Sequence, residues 1–140
     1  MTNRRLHKII PSKVPTSNCT FCRSDIETVI HLFYECEVTK KFWSTLFQTW
    51  GIYFHCTNMV SARVILLGDP TLPELLNFVL LVAKRYIYIS RCEEKTPTFV
   101  NFKSFIFNIQ KTERYIAIRK SKLDKHIKKW GDMLQVLEES

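Results

Sequence analysis

Three cysteines and one histidine near the start of the chain, Cys19, Cys22, His31 and Cys36, form the pattern Cys-x2-Cys-x8-His-x4-Cys. Soft and borderline ligands at such intervals suit a tetrahedral Zn²⁺ ion. In Cys19-Thr20-Phe21-Cys22, one tight turn aims two sulfurs at a common point and leaves turn amides free to hydrogen-bond the thiolates. Four protein ligands leave no position for water or substrate, so a metal held there contributes folding free energy and activates no nucleophile. The pattern points to a binding module, not an enzyme.

The same pattern constrains the backbone that carries it. Ser24 with Glu27 matches a capping box, which predicts a short helix from Asp25 with Ile26, Val29, Ile30 and Phe33 on one apolar stripe. At about 100° per residue, His31 falls beside Glu27 and Tyr34, off the stripe, which favours a ligand over a core histidine. Unbroken helix would carry Cys36 about 7.5 Å along the axis from His31, too far for two ligands of one metal. The helix is therefore expected to end or tighten near Glu35. Asp25 and Glu27 read as first-turn residues complementing the helix dipole.

The rest of the chain predicts a mainly α protein, with a small zinc-knuckle module followed by a helical bundle and a long, basic C-terminal helix. Residues 1–18, with Pro11 and Pro15, read as a basic, extended lead-in, and 19–50 as the zinc-binding module with two short helices. Val38 to Trp50 repeats apolar residues at three- and four-residue steps, an aromatic stripe more typical of core than of base stacking. Residues 51–70 form an irregular connector, with His55 and Cys56 as ordinary packing residues. Within 71–140, Thr71, Pro73 and Glu74 signal a helix running to about Cys92, with Lys84, Arg85 and Arg91 reaching outward. Thr96-Pro97 then starts a helix that extends to about Leu137. Stepping by three and four from Phe99 meets apolar residues at ten of twelve positions, Glu113 and Lys120 being the exceptions. That is a heptad-like seam, suited to lengthwise packing or to self-association with another chain.

The formal charge of +8 is concentrated at two places. Arg4, Arg5, Lys8 and Lys13 give +4 with no acid, and residues 111–130 give +6 from Lys111, Arg114, Arg119, Lys120, Lys122, Lys125, Lys128 and Lys129 against Glu113 and Asp124. Clustered cations favour a polyanion, and RNA or DNA is the commonest such partner, through counterion release. The competing reading is a solubilising helix face. Five cysteines with no apolar leader after Arg4, Arg5 and Lys8 suggest an intracellular, reducing compartment, cytoplasm or nucleus. A redox dithiol at Cys19 and Cys22 is the weaker alternative to zinc. No apolar run approaches the length of a membrane span, and neither a phosphate loop nor a paired-aspartate metal motif accompanies the cysteines.

Cys19-Thr20-Phe21-Cys22, then Glu27-Thr28-Val29-Ile30-His31-Leu32-Phe33, Cys36 and Phe42-Trp43 resemble the zinc-binding region that follows the reverse transcriptase domain in LINE-type (non-LTR) retrotransposon polyproteins. Leu80 to Cys92 and the basic stretch ending at Lys128-Lys129-Trp130 look more loosely like the end of such polyproteins. The resemblance implies a module that helps hold template RNA or target DNA and docks on a polymerase, without chemistry of its own. Neither the endonuclease nor the polymerase lies in these residues, so no catalysis is expected of them. The eight-residue spacer between Cys22 and His31 exceeds the four of retroviral nucleocapsid knuckles, so the base-stacking roles of those knuckles do not transfer.

Overall fold

The computed structural model describes residues 1–56, 58 and 60–139, and among them it is helical with one isolated two-residue bridge. The helices are α1 (Asn3–Ile9), α2 (Glu37–Trp50), α3 (Ala62–Leu67), α4 (Glu74–Cys92), α5 (Phe99–Arg119), α6 (Leu123–Trp130) and α7 (Met133–Glu138). A π-helical turn spans His31–Glu35 and a 3₁₀ turn spans Gly51–Phe54. The mainly α reading holds. No described helix is long and apolar enough to cross a membrane.

The core follows from the periodicity of three helices. The expected stripe of α2 is buried at Phe42, Trp43, Leu46, Phe47 and Trp50, where it meets Leu76, Val79, Ala83 and Ile87 of α4 and Phe102 and Ile106 of α5. Edge-on aromatic pairs lock the junction, with ring centroids 5.4 Å apart for Phe42 and Phe102 and 4.8 Å for Trp50 and Phe99. Such pairs add roughly 0.5–1.5 kcal/mol each beyond the apolar area they bury.

Thr98, not Thr96, caps α5, the expected irregular connector 51–70 carries the 3₁₀ turn and α3, and four further expectations about backbone need correction. Residues 3–9 are helical, not extended: α1 is tied down by its first residue, whose side chain reaches the metal loop and α4. No helix starts at Asp25. Thr28 caps instead, its Oγ1 accepting from the His31 N–H at 3.1 Å, and the Ser24 hydroxyl turns away to donate to the Cys22 carbonyl. At α4, Thr71 gives its hydroxyl to Asp69, and Pro73 occupies the N-cap position. Finally, the terminal helix does not run to Leu137.

That last break has a defined geometry. Ser121 adopts a left-handed φ of 54°, its N–H donates to the Ile118 carbonyl at 3.1 Å, and the Lys122 N–H donates to Ala117 at 2.8 Å. These are the two hydrogen bonds of a Schellman cap, closed here on serine where glycine is usual. The same pair of bonds ends α4 around Glu94 (φ 55°) and the 3₁₀ turn around His55 (φ 52°). Gly68 and Gly131 end α3 and α6 with positive φ, but these three reversals fall on residues that carry no glycine signal.

Past the corner, α6 folds back along α5. Glu113, a polar exception in the seam, becomes the hub: one carboxylate oxygen accepts from Lys129 at 3.0 Å and the other from the Trp130 indole at 2.9 Å. Lys120, the second exception, sits at the corner itself. Trp130, Met133 and Leu137 thereby reach the core of their own chain, and the Trp130 ring meets Phe78 edge-on at 5.6 Å. The apolar repeat encodes a hairpin of helices instead of one long rod.

Candidate metal centre

The chain reaches the metal loop through a short antiparallel contact. Cys19 N–H donates to Asp25 O at 2.7 Å and Glu27 N–H to Ser17 O at 2.8 Å, so residues 17–27 close on themselves around the turn that holds Cys19 and Cys22. Arg23 takes a left-handed φ of 58° at the reversal, and its N–H donates to the Cys19 carbonyl.

His31 and Cys36 are brought in by an unusual turn. Residues 31–35 wind as a π-helix, in which the Cys36 N–H donates to the His31 carbonyl five residues back, at 2.8 Å. The wider turn keeps both side chains on one side, and the chain then breaks at Cys36, whose ψ of 133° is extended. The expected end near Glu35 is met, by a π turn and not by simple termination. The turn is braced from α2: Thr39 Oγ1 donates to the Leu32 carbonyl at 2.8 Å and the Trp43 indole to the Phe33 carbonyl at 2.7 Å.

All four donor atoms lie within 4.8 Å of one another. Cys19 and Cys36 sulfurs are 3.9 Å apart, and Cys22 Sγ is 3.3 Å from His31 Nε2. A tetrahedral zinc with Zn–S near 2.3 Å and Zn–N near 2.0 Å would separate two sulfurs by roughly 3.8 Å and a sulfur from a nitrogen by roughly 3.6 Å. The residues fit a zinc ion in donor type, number and spacing, and Cys19, Cys22, His31 and Cys36 would be its ligands. Among the described residues no other such cluster forms, and Cys56 and Cys92 stand apart from it.

Burial and the closeness of the sulfurs oppose ionisation at this cluster, while backbone amides favour it. Burial pushes the Cys19 thiol up to about 12, against the opposing pull of the Cys22 and Phe21 amides and with help from the neighbouring sulfurs of Cys36 and Cys22. Burial also raises Cys22, but the Asp25 and Ser24 amides, His31 and Cys19 outweigh it and bring that thiol down to about 7. Amides already aimed at the sulfurs are the arrangement the tight turn implies, and a divalent ion would supply the remaining charge that three converging thiolates require.

Three parts of the sequence reading fail here. Ile26 and Val29 are 54% and 55% exposed and Ile30 is exposed too, so the expected stripe is not buried; Leu32 and His31 are. Glu27 is not a first-turn residue at a helix N-terminus but a fully buried carboxylate. Its Oε1 accepts from the Asn3 N–H at 2.7 Å and from Arg91 at 3.0 Å, and its Oε2 accepts from the Thr20 N–H and hydroxyl, both at 2.8 Å. Despite burial, which raises it, these donors and the Arg91 charge hold the Glu27 carboxyl below the usual carboxylate range. Arg91, expected to reach outward, is buried and also donates to Asn3 Oδ1 at 2.7 Å. Thr20 lies between the first two ligands, so one carboxylate joins the metal loop to α1 and α4. Glu27 stands four residues before His31, but nothing in sequence spacing marks it as buried or marks Asn3 or Arg91 as its partners.

The basic residues fall into separate groups. Arg4, Arg5 and Lys8 are exposed on α1. Lys120, Lys122, Lys125, Lys128 and Lys129 line one groove of about 770 Å³ at the α5–α6 corner, together with Pro73, Leu75, Ile116 and Ala117. Arg4, Arg5 and Lys8 line no part of it. Lys129 is committed to Glu113 and stands 3.6 Å from the Phe78 ring centroid, so it is a fastening of the hairpin. Arg114 is paired with Glu138 at 3.1 Å, and Lys111 and Arg119 lie exposed near the Phe107 and Tyr115 rings. No family model matches the chain, and neither a curated protein nor a solved structure matches it.

Proposed function

We propose that the chain is a zinc-stabilised, nucleic-acid-binding module without catalytic chemistry, derived from the C-terminal part of a LINE-type retrotransposon polyprotein. The observation that carries the binding function is the α5–α6 corner, where Lys120, Lys122, Lys125 and Lys128 remain exposed around one groove. The origin rests on the resemblance of residues 19–43, to which the convergence of Cys19, Cys22, His31 and Cys36 adds support. A redox dithiol would use Cys19 and Cys22 alone and gives no reason for His31 and Cys36 to meet them.

The test is binding of a labelled RNA by the zinc-loaded chain as salt is raised. Log affinity should fall linearly with log salt, and changing Lys120, Lys122, Lys125 and Lys128 together to Gln should shallow the slope by about three to four. An unchanged slope would make the lysines a solubilising face. The alternative, a scaffold that pairs through the seam of residues 99–137, is weakened because Phe99, Phe102, Ile106, Trp130 and Leu137 are buried within the same chain. Mass that rises with concentration in sedimentation would restore it.

A further inference from the structure

The corner groove has two chemically different surfaces. Its rim carries the ammonium groups of Lys120, Lys122, Lys125 and Lys128, and its floor is formed by Pro73, Leu75, Ile116 and Ala117. Ile116 is 45% exposed although it belongs to the seam, because the chain turns away at Ser121 before anything covers it. The carboxylate of Glu113 is occupied by Lys129 and Trp130, which leaves Glu74, in the first turn of α4, as the acidic group at the α4 side of the groove.

A duplex makes poor use of such a place. Its bases are stacked on each other, so it presents rows of phosphates to a protein surface and keeps its apolar faces inside. It would meet the lysine rim and leave Leu75 and Ile116 in water. An unpaired strand carries the same phosphates and, beside them, base and sugar surfaces free to lie on an apolar floor. About 770 Å³ is ample for one such nucleotide unit, within the size range of small-ligand clefts. Glu74 repels phosphate on its side and can accept from a base N–H, which sets the strand with its backbone toward α6 and its bases toward α4.

We infer that the groove between the start of α4 and the α5–α6 corner takes an unpaired segment of a polynucleotide strand, its phosphates on Lys120, Lys122, Lys125 and Lys128 and a base over Leu75 and Ile116. This rests on the nucleic-acid reading above and narrows it to one conformation of the ligand. The floor is aliphatic, so discrimination between bases is weak and discrimination between paired and unpaired is the readout.

The experiment compares, by fluorescence anisotropy with the full zinc-loaded chain, a labelled unstructured oligouridine of about 20 nucleotides with an RNA duplex of equal length. The single strand should bind roughly fivefold tighter, the factor expected from covering about 40 Å² of apolar floor at ~25 cal/mol per Å². Ile116→Ser, at a half-exposed position where folding is not at stake, should remove most of that advantage and leave duplex affinity unchanged. Equal affinity for both ligands, or a preference for the duplex, overturns the inference and leaves polyanion binding standing. A single-strand preference that survives Ile116→Ser and Ala117→Asp places the unpaired segment elsewhere and also overturns it. Binding of neither ligand at low salt overturns the nucleic-acid reading itself.

Discussion

The metal loop and the C-terminal hairpin both reverse the chain but are held by different forces. Residues 17–36 bury only Cys19, Leu32 and Cys36 as a small apolar cluster, while Ile26, Val29 and Ile30 face outward. What fixes that segment is directional: four converging donors, a braced π turn and the Glu27 carboxylate. The α5–α6–α7 hairpin is fixed by burial, with Trp130, Met133 and Leu137 inserted into the main core and its cations left outside. A segment without enough apolar surface needs a ligand to specify its shape, whereas one that reaches the core does not.

The sharpest way to break this comparison is to withhold the proposed zinc ion. Structural zinc contributes on the order of 10 kcal/mol in small finger domains. A strong chelator, or Cys36→Ser, should therefore abolish amide protection across residues 17–36 while α4 and α5 keep theirs. If the chelated chain retained protection through the loop, the donors would be held by packing alone and the contrast would vanish. The complementary change is Trp130→Ala. Loss of a fully buried indole costs about 3–5 kcal/mol, and here it also leaves Glu113 without the indole donor. Calorimetry should show a large fall in melting temperature with zinc stoichiometry unchanged; a parallel loss of zinc would mean the two regions share one cooperative unit.

How far each region could be read from sequence follows the same division. α2 and the centre of α4 were legible because a stripe such as Phe42, Trp43, Leu46, Phe47 and Trp50 encodes its own burial. The convergence of the four donors was legible because a tetrahedral metal site restricts donor type and spacing, and even the interruption at Cys36 followed from reach alone. The corner at Ser121 was not, since its left-handed residue lacks the glycine or asparagine that normally marks a Schellman cap. Nor was Glu27: its partners Asn3 and Arg91 lie 24 and 64 residues away, so the buried carboxylate resembled a helix-capping residue in every local respect. Helix α1 was missed for the same reason. It is too short to persist alone, and contacts made by Asn3 hold its start in place.

Glu27 also sharpens the comparison, because it is the point where the directional region is bolted to the packed one. Removing one partner of a buried, hydrogen-bonded ion pair typically costs about 3–5 kcal/mol, so Glu27→Gln should lower the melting temperature nearly as much as Trp130→Ala. Its signature differs: α1 should lose hydrogen-exchange protection first, since Asn3 loses its carboxylate acceptor and Arg91 is left uncompensated. A Glu27→Gln chain with α1 protected as before would show that Asn3 is held by Asn18 and Arg91 without the carboxylate.

The smallest effect belongs to the hairpin and concerns acid. His126 is buried against α5, its Nε2 3.1 Å from the Gln110 amide and its Nδ1 3.9 Å from Glu113. Burial lowers its pKa, Lys129 and Arg114 lower it further, and Glu113 opposes them. A base with a depressed folded-state pKa binds its proton more readily when unfolded. Its contribution to stability is therefore present above the ordinary histidine value of about 6.5 and is lost as pH falls through the lower folded value. Protection of α6 should decline over that window in the wild type and stay level in His126→Gln, at constant zinc. The acid response of residues 17–36, set by proton competition for any metal held there, should be the same in both chains. Identical α6 profiles for wild type and variant would remove His126 as the cause and leave the hairpin, unlike the metal loop, indifferent to mild acid.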